Sequence, residues 1–156
     1  PTHVELYKAW DDLGGIVHTH STEAVGWAQA GRDIPFYGTT HADYFYGPVP
    51  CARSLSADEV NMAYEKETGT VIIDTFKERG IDPMAVPGIV VRNHGPFTWG
   101  KTPEQAVYHA VVLEEVARMF FAVRRRLSGV PPRFFPLSLL LASNGRRVRP
   151  LRRQRD

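Results

Sequence analysis

One cysteine, Cys51, is all that the 156 residues contain, which excludes an internal disulfide and suits a reducing compartment. Long apolar runs are missing as well. The longest candidate, Phe134 to Ala142, is broken by Pro136 and falls short of the ~20 residues that cross a bilayer. No Gly-x-Gly-x-x-Gly or Walker-type loop is present, so the usual backbone cradles for dinucleotides and nucleoside triphosphates are absent. The sequence opens on Pro1 rather than Met, without a charged and then apolar leader. The expectation is therefore an internal start, a fragment of a longer cytoplasmic protein.

An excess of charge of one sign is lacking only in the total. Nineteen Lys and Arg against seventeen Asp and Glu give +2. Residues 1–123 carry nine basic and sixteen acidic side chains, net −7, whereas residues 124–156 carry ten Arg and Asp156, net +9. The near-neutral sum is two opposite charges cancelling, and it marks a division of the chain at about residue 123.

The first part is clearly punctuated. Thr2 and Glu5 form a capping-box pattern that predicts a first helix running to Gly14-Gly15. The β-branched, Gly-bounded stretch Gly15 to His20 predicts a strand, and Ser21 predicts an N-cap for a helix from Thr22 to Ala30 stopped by Gly31. Phe36 to Thr40 reads as a second strand leading to a Pro48-Val49-Pro50 turn. Ser56 with Glu59 opens a helix to about Thr68, and a separate helix is predicted over Thr70 to Arg79 before Gly80. Gly88 to His94 reads as a third strand stopped by Gly95-Pro96. Thr102, Pro103 and Gln105 supply an N-cap, a Pro at the first helical position and a capping-box partner for a long helix through Phe121. Strands alternating with helices imply an α/β layered domain over 1–123. Residues 124–156, with Pro131-Pro132, Pro136 and the Arg-rich run from Arg146, show neither periodicity nor caps; they read as a basic tail, disordered or out of frame.

His18 and His20 are the sharpest chemical feature. Two positions apart on a strand, they project from one face and can converge on one ion, or they are ordinary polar residues on a solvated face. A catalytic metal needs a third protein ligand and an open fourth position. His94 is the best third candidate, since it ends another predicted strand before Gly95-Pro96, where little bulk surrounds it. Asp43, among His41, Tyr44, Phe45 and Tyr46, is a candidate acid or base, although its local pattern alone favours a cap of a turn or of the next helix. Tyr44 and Tyr46 read as packing residues, and His41 as an orienting donor or a structural hydrogen-bonder. His109, between apolar neighbours on the long helix, reads as a satisfied core or interface histidine, His3 as exposed, and Glu65 and Glu67 as a solvated helix face. Cys51 has no CxxC partner and is assigned no redox role.

Several ordered stretches together resemble the class II aldolase family, in particular its sugar-phosphate 4-epimerase branch. They include Gly14-Gly15-Ile16-Val17-His18-Thr19-His20-Ser21, Gly38-Thr39-Thr40-His41-Ala42-Asp43-Tyr44-Phe45-Tyr46-Gly47, Tyr64-Glu65-Lys66-Glu67-Thr68-Gly69, and His94-Gly95-Pro96-Phe97-Thr98-Trp99-Gly100-Lys101. The resemblance covers about residues 1–122. It implies a three-layer α-β-α fold with a central sheet flanked by helices, and a divalent metal, usually zinc, on His18, His20 and His94. It also implies an acid/base role for Asp43. The implied reaction converts L-ribulose 5-phosphate to D-xylulose 5-phosphate by retro-aldol cleavage of C3–C4 and re-addition to the other face of glycolaldehyde phosphate. That places the chain in carbohydrate metabolism, as in arabinose catabolism, with a sugar phosphate as substrate and a cytoplasmic homotetramer as the assembly.

Two family features have no counterpart here: an N-terminal part with phosphate-binding loops, and a C-terminal tyrosine that acts across a subunit boundary. From these the chain is expected to be catalytically compromised on its own. The competing expectations are an L-fuculose- or L-rhamnulose-phosphate aldolase of the same fold, and a non-catalytic adducin-like interaction module, against which three retained histidines count. No membrane association is expected, and no specific nucleic-acid binding, because no motif or aromatic interleaving accompanies the arginines of the tail.

Overall fold

Alternate residues of one strand sort the helices to two sides of the sheet. In β4 (Pro96–Gly100), Thr98 donates from Oγ1 to the Ala106 carbonyl at 3.0 Å, whereas the Trp99 ring packs on Trp10 and Phe76 at centroid distances of 5.0 and 5.3 Å. Side chains alternate faces along a strand, so α5 (Pro103–Arg126) covers one face, and α1 (Thr2–Ala9) with α4 (Ala57–Arg79) covers the other. The fold is the expected three-layer α/β arrangement with a central sheet. The computed structural model describes residues 1–126, with side chains through residue 122.

The sheet has four strands in the order β1-β4-β3-β2, where β1 is Gly15–His18, β2 Cys51–Ala52 and β3 Gly88–Val91. β4 lies antiparallel between β1 and β3, and β2 runs parallel to β3 through the crossover made by α4. All four residues of β3 are buried, which explains its continuous Gly-Ile-Val-Val composition: a strand covered on both faces has no polar side to alternate with. α2 (Thr22–Ala30) joins α5 on its side of the sheet, Trp27 donating from its indole to the Ala117 carbonyl at 3.3 Å.

Several expectations are met. α2 ends at Gly31 in the left-handed region, Ser56 and Glu59 form the reciprocal capping box, and Thr102 accepts from the Gln105 N–H. Others are corrected. Thr2 and Glu5 make no capping box: Thr2 donates instead to the Glu65 carbonyl across to α4, and Glu5 pairs with Lys8. The helices predicted on either side of Gly69 are one. Gly69 is buried inside α4 because a Cβ there would stand 2.9 Å from Cβ of Glu5, so this glycine permits the close crossing of α1 rather than ending a helix. The irregularity lies earlier, at Ala63, whose non-helical backbone (φ −157°, ψ 50°) kinks α4.

The strand predicted over Phe36 to Thr40 is instead the start of a short helix, α3 (Gly38–Ala42). Burial of His41, with its ring nitrogen 2.8 Å from the Gly47 carbonyl and its ring against Phe36 and Phe45, outweighs the β preference of Thr39 and Thr40. β2 and β4 were not predicted as strands. Among the described residues no helix is long and apolar enough to cross a membrane. The division at residue 123 falls within α5, and the rest of the expected tail, residues 127–156, lies outside the described residues.

Candidate metal centre

His18 ends β1, and its register partner on β4 is Phe97. The two rings stack at 4.0 Å with 12° between planes, so an aromatic wall fixes the tilt of the imidazole. Its rotation is fixed at the other nitrogen: Nδ1 lies 2.9 Å from the Pro96 carbonyl, and a carbonyl can only accept. Nδ1 therefore carries the proton and Nε2 presents its lone pair. His20 lies two residues beyond the strand end, not on the strand as expected, yet its Nε2 comes within 3.1 Å of Nε2 of His18. His94 enters from the β3–β4 turn, where Asn93 adopts φ +63° and reverses the chain.

The three imidazoles converge. Ring centroids are 4.8 Å apart for His18 and His20, 4.6 Å for His18 and His94, and 5.4 Å for His20 and His94. One nitrogen from each lies within 4.8 Å of the others. Gly95 makes the approach feasible, since a Cβ there would stand 2.8 Å from the Thr19 carbonyl oxygen and 3.2 Å from Cδ2 of His20. Burial disfavours the charged form of two of the three rings. Burial, followed by the neighbouring His18 and His20, lowers the His94 pKa to about 4; burial also lowers that of His18, against the opposing Pro96 hydrogen bond.

This donor set suits a divalent ion of the zinc type. Neutral imidazoles are ready ligands, and the 3.1 Å nitrogen separation is close to the ~3.3 Å between two ligands of a tetrahedral zinc. The triad faces a pocket of about 390 Å³, whose walls include His3, Tyr64, Glu65, Thr68 and Phe97. An ion held by three imidazoles beside a pocket would keep its fourth position open.

Asp43 does not line that pocket. It follows α3, its N–H bonded to the Thr39 carbonyl at 2.9 Å, and the chain then passes the start of β3: the Tyr46 N–H donates to the Ala85 carbonyl, and the Phe45 ring limits the space beside Gly88. His94 lies beyond the other end of β3, so the two ends are separated by about 10 Å of strand. Asp43 is exposed, beside Tyr44, whose hydroxyl lies 2.9 Å from that of Tyr108.

The remaining candidates resolve individually. His41 is structural, its pKa lowered to about 4 by burial. His109 is satisfied by the Trp99 carbonyl at 2.6 Å. His3 is half-buried rather than exposed, edge-on to Phe97 at 6.2 Å. Cys51 is buried, and desolvation raises its thiol to about 11. Glu65 is exposed, as a solvated helix face requires, while also lining the pocket. Tyr64 went unrecognised in the sequence, although its hydroxyl lies 3.2 Å from Nδ1 of His94. A lone aromatic in the acidic stretch Glu65-Lys66-Glu67 was the available signal.

Known proteins share both sequence and fold with the chain. The L-ribulose-5-phosphate 4-epimerase UlaF of Salmonella paratyphi B is 54% identical over 136 residues, 87% of this chain and 57% of that protein. UlaF of Salmonella typhi is 56% identical over 131 residues, covering 84% of this chain and again 57% of the relative. The chain thus spans little more than half the length of these relatives. Among solved structures, an L-fuculose 1-phosphate aldolase superimposes with a TM-score of 0.64 at 16% identity, covering 92% of this chain and 61% of the other. The L-fuculose-1-phosphate aldolase of Thermus thermophilus gives 0.61 at 22% identity, covering 85% and 64%. At such identities these two show the fold alone. Residues 1–121 match the family described as Class II Aldolase and Adducin N-terminal domain, and the chain belongs to that family.

Proposed function

We propose that this protein epimerises L-ribulose 5-phosphate to D-xylulose 5-phosphate at C4, with a divalent metal, zinc, held by His18, His20 and His94. The observation that carries the reading is the convergence of three imidazoles beside a pocket of about 390 Å³, in a chain 54–56% identical to proteins named for that reaction. Bound there, the ion supplies Lewis-acid stabilisation of the negative charge that retro-aldol cleavage places on the substrate oxygens.

The protein's residues prepare and protect that site. His18 offers Nε2 because Pro96 holds the proton on Nδ1. Phe97 and Tyr64 wall the triad. Asp43 transfers the proton of the substrate's C4 hydroxyl as acid or base. Since Asp43 flanks the far end of β3 from the triad of its own chain, it serves the triad of a neighbouring subunit. The working unit is accordingly a homo-oligomer, a tetramer in the cytoplasm, acting in pentose breakdown such as arabinose catabolism. The division into an aldolase-like domain over 1–123 and a separate basic tail over 124–156 is part of the same reading.

The test is turnover of L-ribulose 5-phosphate, coupled to detection of D-xylulose 5-phosphate, beside release of free aldehyde from L-fuculose 1-phosphate. Inversion without aldehyde release is expected, at a rate well below that of a full-length relative, since the chain spans 57% of such a protein. Aldehyde release without inversion would overturn the assignment in favour of an aldolase.

A further inference from the structure

The phenol of Tyr64 reaches the imidazole cluster from α4. Its oxygen lies 3.2 Å from Nδ1 of His94, and the two rings are 5.6 Å apart with 37° between planes. The kink in the helix accounts for this placement. Ala63 is non-helical inside α4, so Tyr64 is the first residue of a second helical arm rather than one more position on a continuous helix. That arm is anchored at the same point: Thr68 donates from Oγ1 to the Tyr64 carbonyl at 2.8 Å, and Thr2 of α1 donates to the carbonyl of Glu65.

We propose that Tyr64 is a positioning residue for metal ligation: its phenol oxygen accepts the Nδ1 proton of His94 and so directs the Nε2 lone pair of His94 into the triad. The inference rests on the metal reading of the three histidines. A ligating imidazole usually gives its second N–H to an acceptor, which fixes both tautomer and ring rotation. His18 has such an acceptor in the Pro96 carbonyl. His94 sits on a turn instead of a strand, where no backbone ladder holds its ring, and the acceptor is delivered by a helix from the other side of the pocket. A phenol oxygen does this without adding a charge to the site, and its rigid ring holds the oxygen in place.

The competing reading is that Tyr64 is merely a wall of the pocket, for which its ring would suffice. Tyr64→Phe separates the two, because it keeps the ring and removes the acceptor from a side chain that is 40% exposed. Co²⁺ serves as the probe, titrated into the metal-free parent, Tyr64→Phe and His94→Ala, each with the full chain and each checked for the parent's circular dichroism. The expected result is Co²⁺ binding weakened about 10- to 100-fold in Tyr64→Phe, with altered visible absorption bands that report a changed ligand field. An equal Kd and an unchanged spectrum for Tyr64→Phe, with His94→Ala still losing the ion, would overturn the positioning role and leave the ligand set intact. Equal binding by all three proteins would overturn the ligand set, and the positioning role with it.

Discussion

The carboxylate of Glu114, on α5, accepts a hydrogen bond from the backbone N–H of Ala24 at 3.0 Å and another from the adjacent Glu23 N–H at 2.9 Å. The N-cap residue of α2, Ser21, makes no side-chain cap bond. A residue ninety positions away therefore caps the helix that begins directly after His20. Because a carboxylate is also favoured at the positive end of a helix, this bond serves both hydrogen-bonding and the helix dipole.

Glu114→Ala is expected to destabilise the protein by about 1–2 kcal/mol, in the range of a lost cap with charge-assisted bonds. Urea unfolding measures this directly. Glu114→Gln, which keeps an acceptor oxygen but loses the charge, should lie between the two. A midpoint for Glu114→Ala equal to that of the parent would contradict the capping role.

Gly95→Ala should disrupt the metal site while leaving the fold largely intact. The added methyl meets the Thr19 carbonyl at 2.8 Å and the His20 ring at 3.2 Å, and the backbone oxygen cannot yield without moving the segment between His18 and His20. Metal affinity is expected to fall by about tenfold or more, comparable to loss of an orienting contact. Calorimetric titration checks it, and parent-like affinity would show that the turn has slack the structure does not display.

His41 makes stability depend on pH. Its folded pKa of about 4 lies below the ordinary value of 6.5 because burial disfavours the charged ring. The unfolded chain binds the proton first, so the stabilisation from the neutral ring is complete above about pH 6.5 and is lost as pH falls toward 4, at up to ~1.4 kcal/mol per pH unit. His94 is lowered as well and contributes to the slope with or without His41. The difference in slope between the parent and His41→Gln therefore isolates His41, and identical slopes would count against it.

Asp43→Asn and His94→Ala subunits should each be inactive alone and active when co-expressed. If Asp43 serves a neighbour's triad, mixed oligomers contain sites with both groups intact, about a quarter of the total for random assembly. Recovery of turnover toward that share is the expected outcome. Mixed oligomers without recovery would mean that both groups act within one chain, against the placement of Asp43 at the other end of β3 from His94.

What the sequence revealed, and what it concealed, divides along local and long-range causes. The helix starts at Ser56 and Thr102 were legible because their caps are made by residues three positions away. The trio His18, His20 and His94 was legible because strand ends deliver side chains predictably, although His20 and His94, both read as strand residues, lie past the ends of β1 and β3. α3 was misread, since its helical form depends on burying His41 against Gly47. β2 was hidden by its two-residue length between Pro50 and Arg53, and β4 by opening on a proline. Gly69 looked like a helix breaker because the partner that requires it, α1, lies more than sixty residues away. Tyr64 and Glu114 were missed for the same reason: each matters through a bond to a residue 30 or 90 positions distant.

Metal content is the most direct test of the account. The parent chain, His18→Ala and His94→Ala, purified identically and equilibrated with Zn²⁺, are to be compared by elemental analysis after removal of loosely held ions. One bound zinc per parent chain and its loss from both variants is the predicted result. The same zinc content in all three proteins would contradict the assignment of His18, His20 and His94 as the metal centre.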